Sequence, residues 1–209
     1  MRLELSVYDQ VVASWPVDRE SIAAALPAGL EPDAIEGRSL VSLAALRFDG
    51  GRLGRAPLPR FSQLNVRTYV RHLDEPAVLF LRSYVTSGGL GGVLLGAPLR
   101  AARMSFRLGR VEVPAAGVAL AYRAEEGVEP PALGRRELGL FEAAGLREFR
   151  IVREDETWHR AVAVGTQRAD VLRALGFDPV GSPEVYVATG GSFSVEIPTR
   201  KSSPSRSRR

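Results

Sequence analysis

The sequence contains no cysteine and a single lysine, Lys201, among its 209 residues. Without cysteine, the chain can form neither disulfides nor thiolate metal sites, and it has no cysteine nucleophile. A Schiff-base enzyme needs a desolvated lysine amine inside a pocket, but Lys201 lies in a basic C-terminal segment. We therefore expect no imine chemistry in the folded body.

Histidine is scarce and long apolar runs are missing. The two histidines, His72 and His159, have no partner at the spacing of metal ligands, so we predict no metal site and no cofactor. The longest uncharged stretch, residues 83–99, has 17 residues of which five are glycine, whereas a membrane span needs about 20 mainly apolar residues. The N-terminal residues form no apolar run of the kind that marks a signal peptide. We expect a cytoplasmic protein with no membrane partner.

Positive charge is concentrated at the C-terminus. The formal net charge is +4, but five of the 28 basic residues lie in residues 199–209, which leaves 23 for the body against 24 acidic residues. Such a tail could bind phosphates in a salt-sensitive way, yet it carries no aromatic residues. We predict that 199–209 is a disordered Arg/Ser-rich tail and that nucleic acid is not a partner.

Apolar alternation, interrupted by glycine and proline, predicts about ten strands and only short helices. The predicted strands span residues 4–13, 38–48, 63–72, 77–86, 99–108, 110–113, 117–125, 146–153, 157–165, 184–189 and 193–197. Short helices are predicted after Asp18, at 135–144 and at 167–175, and a loop at 49–62. The fold class is therefore mainly β (α+β), with residues 1–198 forming a single domain built as a curled antiparallel β-barrel.

The segment 63–72 has the clearest period-two pattern. Its odd-numbered positions share one face and are polar or amphipathic, while its even-numbered positions are largely apolar. Two arrangements are open. The polar face meets solvent, or it lines the interior of a small barrel, where a buried Asn65 and Arg67 need partners.

An inward-facing Arg67 must be balanced by an internal acid or by a ligand. The internal candidates are Glu4, Asp9 and Glu112, and the external one is a bound carboxylate, which arginine contacts in a bidentate fashion. Arg100 and Arg103 could converge on the same pocket or pair with nearby acids. The candidate binding residues are therefore Gln63, Asn65, Arg67, Tyr69, Arg100 and Arg103.

Several strings, in order and at fitting spacings over residues 4–198, resemble the YqjF-like family of uncharacterised proteins, a branch of the acetoacetate-decarboxylase-like superfamily. They are Trp15–Asp18, Leu26–Glu31, Glu36–Arg38, Leu64–Arg71, Ala102–Met104 and Val185–Gly191. The resemblance implies a curled antiparallel β-barrel with short flanking helices and a central cavity.

The resemblance does not imply decarboxylation. In true decarboxylases a Gly-x-Pro-Lys-Lys string supplies the Schiff-base lysine, and the comparable residues here are Gly96–Arg100, with Leu99 and Arg100 in place of the two lysines. Leucine has no nucleophile, and arginine, which is protonated at neutral pH, cannot form the imine. Gln63 stands where such enzymes carry an acid, and an amide cannot exchange a proton.

Two classes of function remain open. The first is binding of a small acidic or carbonyl-bearing molecule in the barrel, as a sensor or as an enzyme without a Schiff base. The alternative is an interaction protein that associates with nucleic acid or acidic partners through its basic tail. The sequence names no ligand, and it leaves a homo-oligomer open.

Overall fold

The computed structural model of the protein describes residues 2–87, 96–127 and 136–196. The predicted tail and most of the glycine-rich segment 87–97 lie outside the described residues. Two α-helices, one 3-10 turn (Pro114–Ala116) and sixteen strands form within them. The helices are α1 (Arg19–Ala25) and α2 (Asp170–Arg173). The strands are β1 (Arg2–Pro16), β2 (Glu31–Pro32), β3 (Leu40–Leu53), β4 (Ala56–Leu58), β5 (Phe61–His72), β6 (Glu75–Val85), β7 (Leu99–Ala101), β8 (Ser105–Arg107), β9 (Arg110–Val113), β10 (Val118–Ala124), β11 (Leu138–Ala143), β12 (Gly145–Glu154), β13 (Thr157–Ala163), β14 (Arg168–Ala169), β15 (Glu184–Thr189) and β16 (Ser192–Glu196).

Seven strands close into a barrel. They follow the order β3-β5-β6-β11-β12-β16-β1, and the pairing of β1 with β3 completes the circle. Neighbours are antiparallel except β6 and β11, which run parallel. The long strand β1 pairs with β16 through its first residues and with β15 through its last ones. The sheet therefore continues from β1 into a second layer.

The second layer consists of β15, β13, β10, β9 and β8. It covers the outer face of β1, β3 and β5, because one apolar cluster joins residues of those strands to residues of β9, β10, α1 and α2. The outer face of β5 supplies Leu64 and Val66 to this cluster, and both are fully buried. Burial of each such side chain contributes about 1.5–3 kcal/mol.

The opposite face of β5 points into the barrel. Tyr69 packs in a second cluster with Leu5 of β1, Ala44 of β3, Val78 of β6 and Ile151 of β12. Side chains from strands all around the barrel can meet only in its interior. The prediction of a curled β-barrel is confirmed, and neither face of β5 is an ordinary solvent face.

Four predicted elements were wrong in part or in full. Residues 135–144, predicted as a helix, contain strand β11, because the alternating Leu138 and Leu140 are buried on the outer face of the sheet beside β6. The predicted loop 49–62 holds the end of β3, all of β4 and the start of β5. The predicted strand 99–108 is divided into β7 and β8, and the helix at 167–175 shortens to α2.

No helix among the described residues is long and apolar enough to cross a membrane. The continuous sheet links strands from β1 to β16. The assignment of residues 1–198 to a single domain stays a prediction.

Candidate functional site

Strand register places the polar side chains of β5 in a row inside the barrel. Arg67 is paired with Ser42 of β3 and Phe80 of β6, while Asn65 is paired with Ala44 and Ser83. Residues directly opposite each other in an antiparallel pair project to the same face. The interior therefore presents a guanidinium between a hydroxyl and an aromatic ring.

Arg67 is half-buried, and it forms no ion pair within the part of the chain that the structure describes. Its Nε atom is inaccessible to solvent and has no hydrogen-bond partner among the described residues. Its guanidinium carbon lies 6.0 Å from the centre of the Tyr69 ring. A buried donor without a partner costs about 1–3 kcal/mol. The folded protein therefore keeps Arg67 in an unfavourable state.

The three acids that the sequence offered as internal partners of Arg67 form ion pairs with other arginines. Glu4 lies 3.4 Å from the Arg2 guanidinium. Asp9 lies 2.7 Å from that of Arg47. Glu112 lies 2.6 Å from that of Arg110. None of these three carboxylates forms an ion pair with Arg67.

Two further arginines, Arg136 and Arg153, join Arg67 near Tyr69, and we call these three the arginine cluster. The guanidinium carbon of Arg136 lies 5.5 Å from the centre of the Tyr69 ring. Its Nη1 atom forms an ion pair with Asp33, 2.6 Å from Oδ2. The geometry of this contact is not that of a hydrogen bond. Arg153 Nη1 donates to the Arg136 carbonyl at 3.0 Å.

Sequence reasoning missed Arg136 and Arg153. Arg136 precedes β11, which was predicted as part of a helix. Arg153 faces the barrel interior opposite Phe193, and its guanidinium carbon lies 5.5 Å from the centre of that ring. The alternation of Phe149, Ile151 and Arg153 on β12 is the signal that could have identified it.

The electrostatic state of Arg153 reflects the crowding of like charges. Burial, and then the positive charge of Arg67, lower the pKa of Arg153 to about 10. Glu156 acts in the opposite direction on the pKa of Arg153. The positive charge of Arg153 is therefore less stable than that of an exposed arginine, and an additional anion would stabilise the cluster.

Two hydrogen-bonded groups of neutral side chains flank Arg67. Asn65 Oδ1 accepts hydrogen bonds from Gln63 Nε2 and from Ser83 Oγ, both at 2.7 Å. On the other side, the Tyr69 hydroxyl lies 3.1 Å from Ser42 Oγ, which lies 2.7 Å from Ser14 Oγ. These contacts fix the side chains of Asn65 and Tyr69, and a fixed polar site loses little entropy when a ligand binds.

An aromatic wall, formed by Phe80, Phe141 and Phe149, continues from Arg67 around the barrel. The ring centres of Phe80 and Phe149 are 5.4 Å apart, and those of Phe141 and Phe149 are 5.9 Å apart. Phe80 and Phe149 are only half-buried. The barrel thus combines an apolar surface with a row of polar side chains.

Four of the six residues expected at the site, Gln63, Asn65, Arg67 and Tyr69, lie on one inward face of β5. The expectation that Arg100 and Arg103 converge on the same pocket is not met. Both are exposed, and Arg100 is paired with Tyr84, whose side chain lies in the cluster outside the barrel. The inward position next to Ser83 belongs to Leu99.

Among the described residues, no group of three or more histidine, aspartate or glutamate side chains could hold a metal ion. The donors of the site are guanidinium, amide and hydroxyl groups. Guanidinium groups repel cations and bind carboxylates or phosphates. The arrangement is therefore suited to an anionic ligand.

Comparison with known proteins gives the family context of this chain. Residues 6–190 match the model of DUF2071, a family described as an uncharacterised conserved protein. The uncharacterised protein YqjF of Bacillus subtilis is 32% identical over 76 residues, which are 34% of this chain and 31% of that relative. The matched part spans about a third of the length of either protein.

Solved structures with the same barrel come from enzymes. The enduracididine biosynthesis enzyme MppR with HEPES buffer bound has a TM-score of 0.64 at 14% identity, covering 94% of this chain and 86% of MppR. An acetoacetate decarboxylase-like enzyme from Sphingomonas wittichii has a TM-score of 0.60 at 14% identity, covering 97% and 94%. Acetoacetate decarboxylase from Legionella pneumophila has a TM-score of 0.62 at 9% identity, covering 95% and 88%. The expected acetoacetate-decarboxylase-like fold is confirmed.

Proposed function

This chain belongs to the DUF2071 family of uncharacterised conserved proteins, and we propose that its barrel binds a small molecule through a carboxylate that contacts Arg67. The ligand is acidic and can also carry a carbonyl group. Binding occurs without a covalent bond to a lysine.

The observation that carries this proposal is that Arg67, half-buried in the barrel, forms no ion pair with any described residue. A bidentate carboxylate would accept two parallel hydrogen bonds from the two terminal nitrogens of Arg67, because its Nε atom is closed to solvent. The same negative charge would reduce the repulsion between Arg67 and Arg153. Asn65, whose Oδ1 is already occupied by two donors, has amide hydrogens to offer to a carbonyl oxygen of the ligand.

The absence of lysine from residues 2–198 supports binding without Schiff-base chemistry. Leu99, paired with Ser83, stands at the first position where decarboxylases of this superfamily carry lysine. A leucine there adds apolar surface but no nucleophile. An enzyme that acts by other means, or a sensor, is consistent with these side chains.

A structural neighbour gives limited support for the ligand class. MppR has been solved in complex with pyruvate, in a structure with a TM-score of 0.61 and 15% identity to this chain. Pyruvate is a small carboxylate with an adjacent carbonyl group. The shared fold has therefore accommodated a molecule of the proposed class in at least one protein.

The proposal is tested by the thermal shift that carboxylates produce. We expect pyruvate to raise the melting temperature of the wild-type protein, and acetone, which has a methyl group in place of the carboxylate, to have no effect. Arg67→Met should lose the shift. The matched control is Arg60→Met, since Arg60 is exposed and pairs with Asp49 outside the barrel. A shift that survives in Arg67→Met would contradict the proposal.

A further inference from the structure

Gly139 of β11 is the residue against which Phe149 lies flat. A Cβ atom at position 139 would lie 2.4 Å from Cζ and 2.6 Å from Cε2 of Phe149, closer than any two such atoms can approach. The two residues are direct partners in the β11–β12 pairing. Only glycine leaves the space that this ring occupies.

The orientation of Phe149 determines how much of the barrel interior is free. The ring lies over strand β11 and makes contact with Phe80 and Phe141. Phe149 is half-buried, and the backbone of β11 at Gly139 blocks its ring on one side. A side chain at position 139 would drive the ring away from β11.

The aromatic wall and Arg67 are close enough to hold two parts of one molecule. Phe80 is the direct partner of Arg67 across β5 and β6, and neighbouring strands lie about 4.8 Å apart. A ligand whose carboxylate contacts Arg67 would therefore place its body beside Phe80 and Phe149. Aromatic rings pack favourably against such a surface in offset or edge-on arrangements.

We infer that Gly139 is a specificity-determining residue, which keeps the ring of Phe149 against the barrel wall and so admits carboxylates with an aromatic body. This inference rests on the proposed binding of a carboxylate by Arg67. It adds that the part of the ligand beyond the carboxylate is an aromatic body. Small carboxylates need only the arginine, whereas aromatic ones also need the part of the interior that Phe149 leaves free by lying over β11.

The test compares phenylpyruvate with pyruvate, which differ only in the aromatic ring. Dissociation constants are measured by calorimetry for the wild-type protein, for Gly139→Ala and for the double variant Gly139→Ala/Phe149→Leu. We expect the wild-type protein to prefer phenylpyruvate. Gly139→Ala should weaken phenylpyruvate binding by about tenfold or more and leave pyruvate binding unchanged. The double variant should recover phenylpyruvate binding, because leucine lacks the atoms that clash.

The outcomes separate this inference from the proposed function. Equal effects of Gly139→Ala on both probes, or no recovery in the double variant, would overturn the role of Gly139 and leave carboxylate binding intact. Binding of pyruvate but not of phenylpyruvate by the wild-type protein would also overturn the role of Gly139 and leave carboxylate binding intact. Binding of neither probe would contradict both claims. If Gly139→Ala does not fold, Phe80→Leu serves instead, with a selective loss of phenylpyruvate binding expected.

Discussion

Arg67 and Arg153 project into the same barrel from strands β5 and β12, and the charge of Arg67 contributes, after burial, to the lowered pKa of Arg153. Two like charges in a partly dehydrated interior repel each other. Structural ion pairs elsewhere in the protein, such as Arg47 with Asp9 and Arg110 with Glu112, are balanced. The arrangement of charges in the barrel therefore favours the binding of an anion.

The pKa of Arg153 predicts how binding depends on pH. Both the carboxylate ligand and Arg153 are charged between about pH 5 and pH 9, so affinity should be constant there. As pH rises through about 10, the value of the lowered pKa, Arg153 loses its proton and phenylpyruvate should bind more weakly.

Calorimetry from pH 7 to pH 10.5 measures this dependence, with Arg153→Met as the variant that should lack the decrease. The lowered pKa of Arg153 also makes the stability of the folded protein depend on pH. The cost of the buried charge is present in full below the folded pKa and is relieved as pH rises from there toward the ordinary pKa of an unfolded arginine. An affinity that stays constant to pH 10.5 in the wild-type protein would contradict the prediction.

A second prediction concerns covalent chemistry. Borohydride reduction in the presence of acetoacetate should label nothing in residues 2–198, because the only lysine is Lys201 and arginine does not form imines. Mass spectrometry of proteolytic peptides detects any adduct. A reduced adduct inside that range would show that Schiff-base chemistry occurs without lysine, contrary to our account.

The hydroxyl contacts of Tyr69 should stabilise the barrel. Tyr69→Phe removes the hydrogen bond to Ser42 and should cost about 1 kcal/mol, or about 2–4 °C in melting temperature for a protein of this size. Tyr8→Phe is the matched control, since Tyr8 is 56% exposed. Equal melting temperatures for the two variants would mean that the buried hydroxyl contributes nothing.

The C-terminal residues 199–209 should be dispensable for folding. They contain no apolar side chain to bury, and their positive charges repel one another. A protein truncated after residue 198 should melt at nearly the same temperature as the full chain. A loss of several degrees would indicate that the tail docks on the body. If salt-sensitive DNA binding is found and truncation removes it, the alternative function gains support.

Strand β5 could be predicted from the sequence because the alternation of its apolar and polar residues is a local pattern. The alternation of Leu64 and Val66 with Asn65 and Arg67 identifies two faces of one strand. The direction of each face follows from closure of the barrel, which depends on the distant pairing of β1 with β3. The family resemblance predicted the barrel, whereas the alternation alone did not show which face of β5 points inward.

Other features of the site depend on contacts between distant segments. Residues 135–144 contain good helix formers, but packing of Leu138 and Leu140 beside β6 overrides that propensity. For the same reason Arg136 was not recognised. Arg100 was expected at the site because it lies on the strand after Pro98. Leu99 takes the position next to Ser83, and a shift of one residue along a strand reverses the face.

The melting temperature of Arg67→Met in the absence of ligand tests the central claim most directly, measured by calorimetry beside the wild-type protein and Arg60→Met. Arg67 forms no ion pair, and its buried Nε atom forms no hydrogen bond, among the described residues. Methionine also removes the repulsion with Arg153. We predict that Arg67→Met melts about 2–4 °C higher than the wild-type protein, while Arg60→Met is unchanged. A melting temperature several degrees lower would show that Arg67 stabilises the fold, and would contradict the claim that it is held there for a ligand.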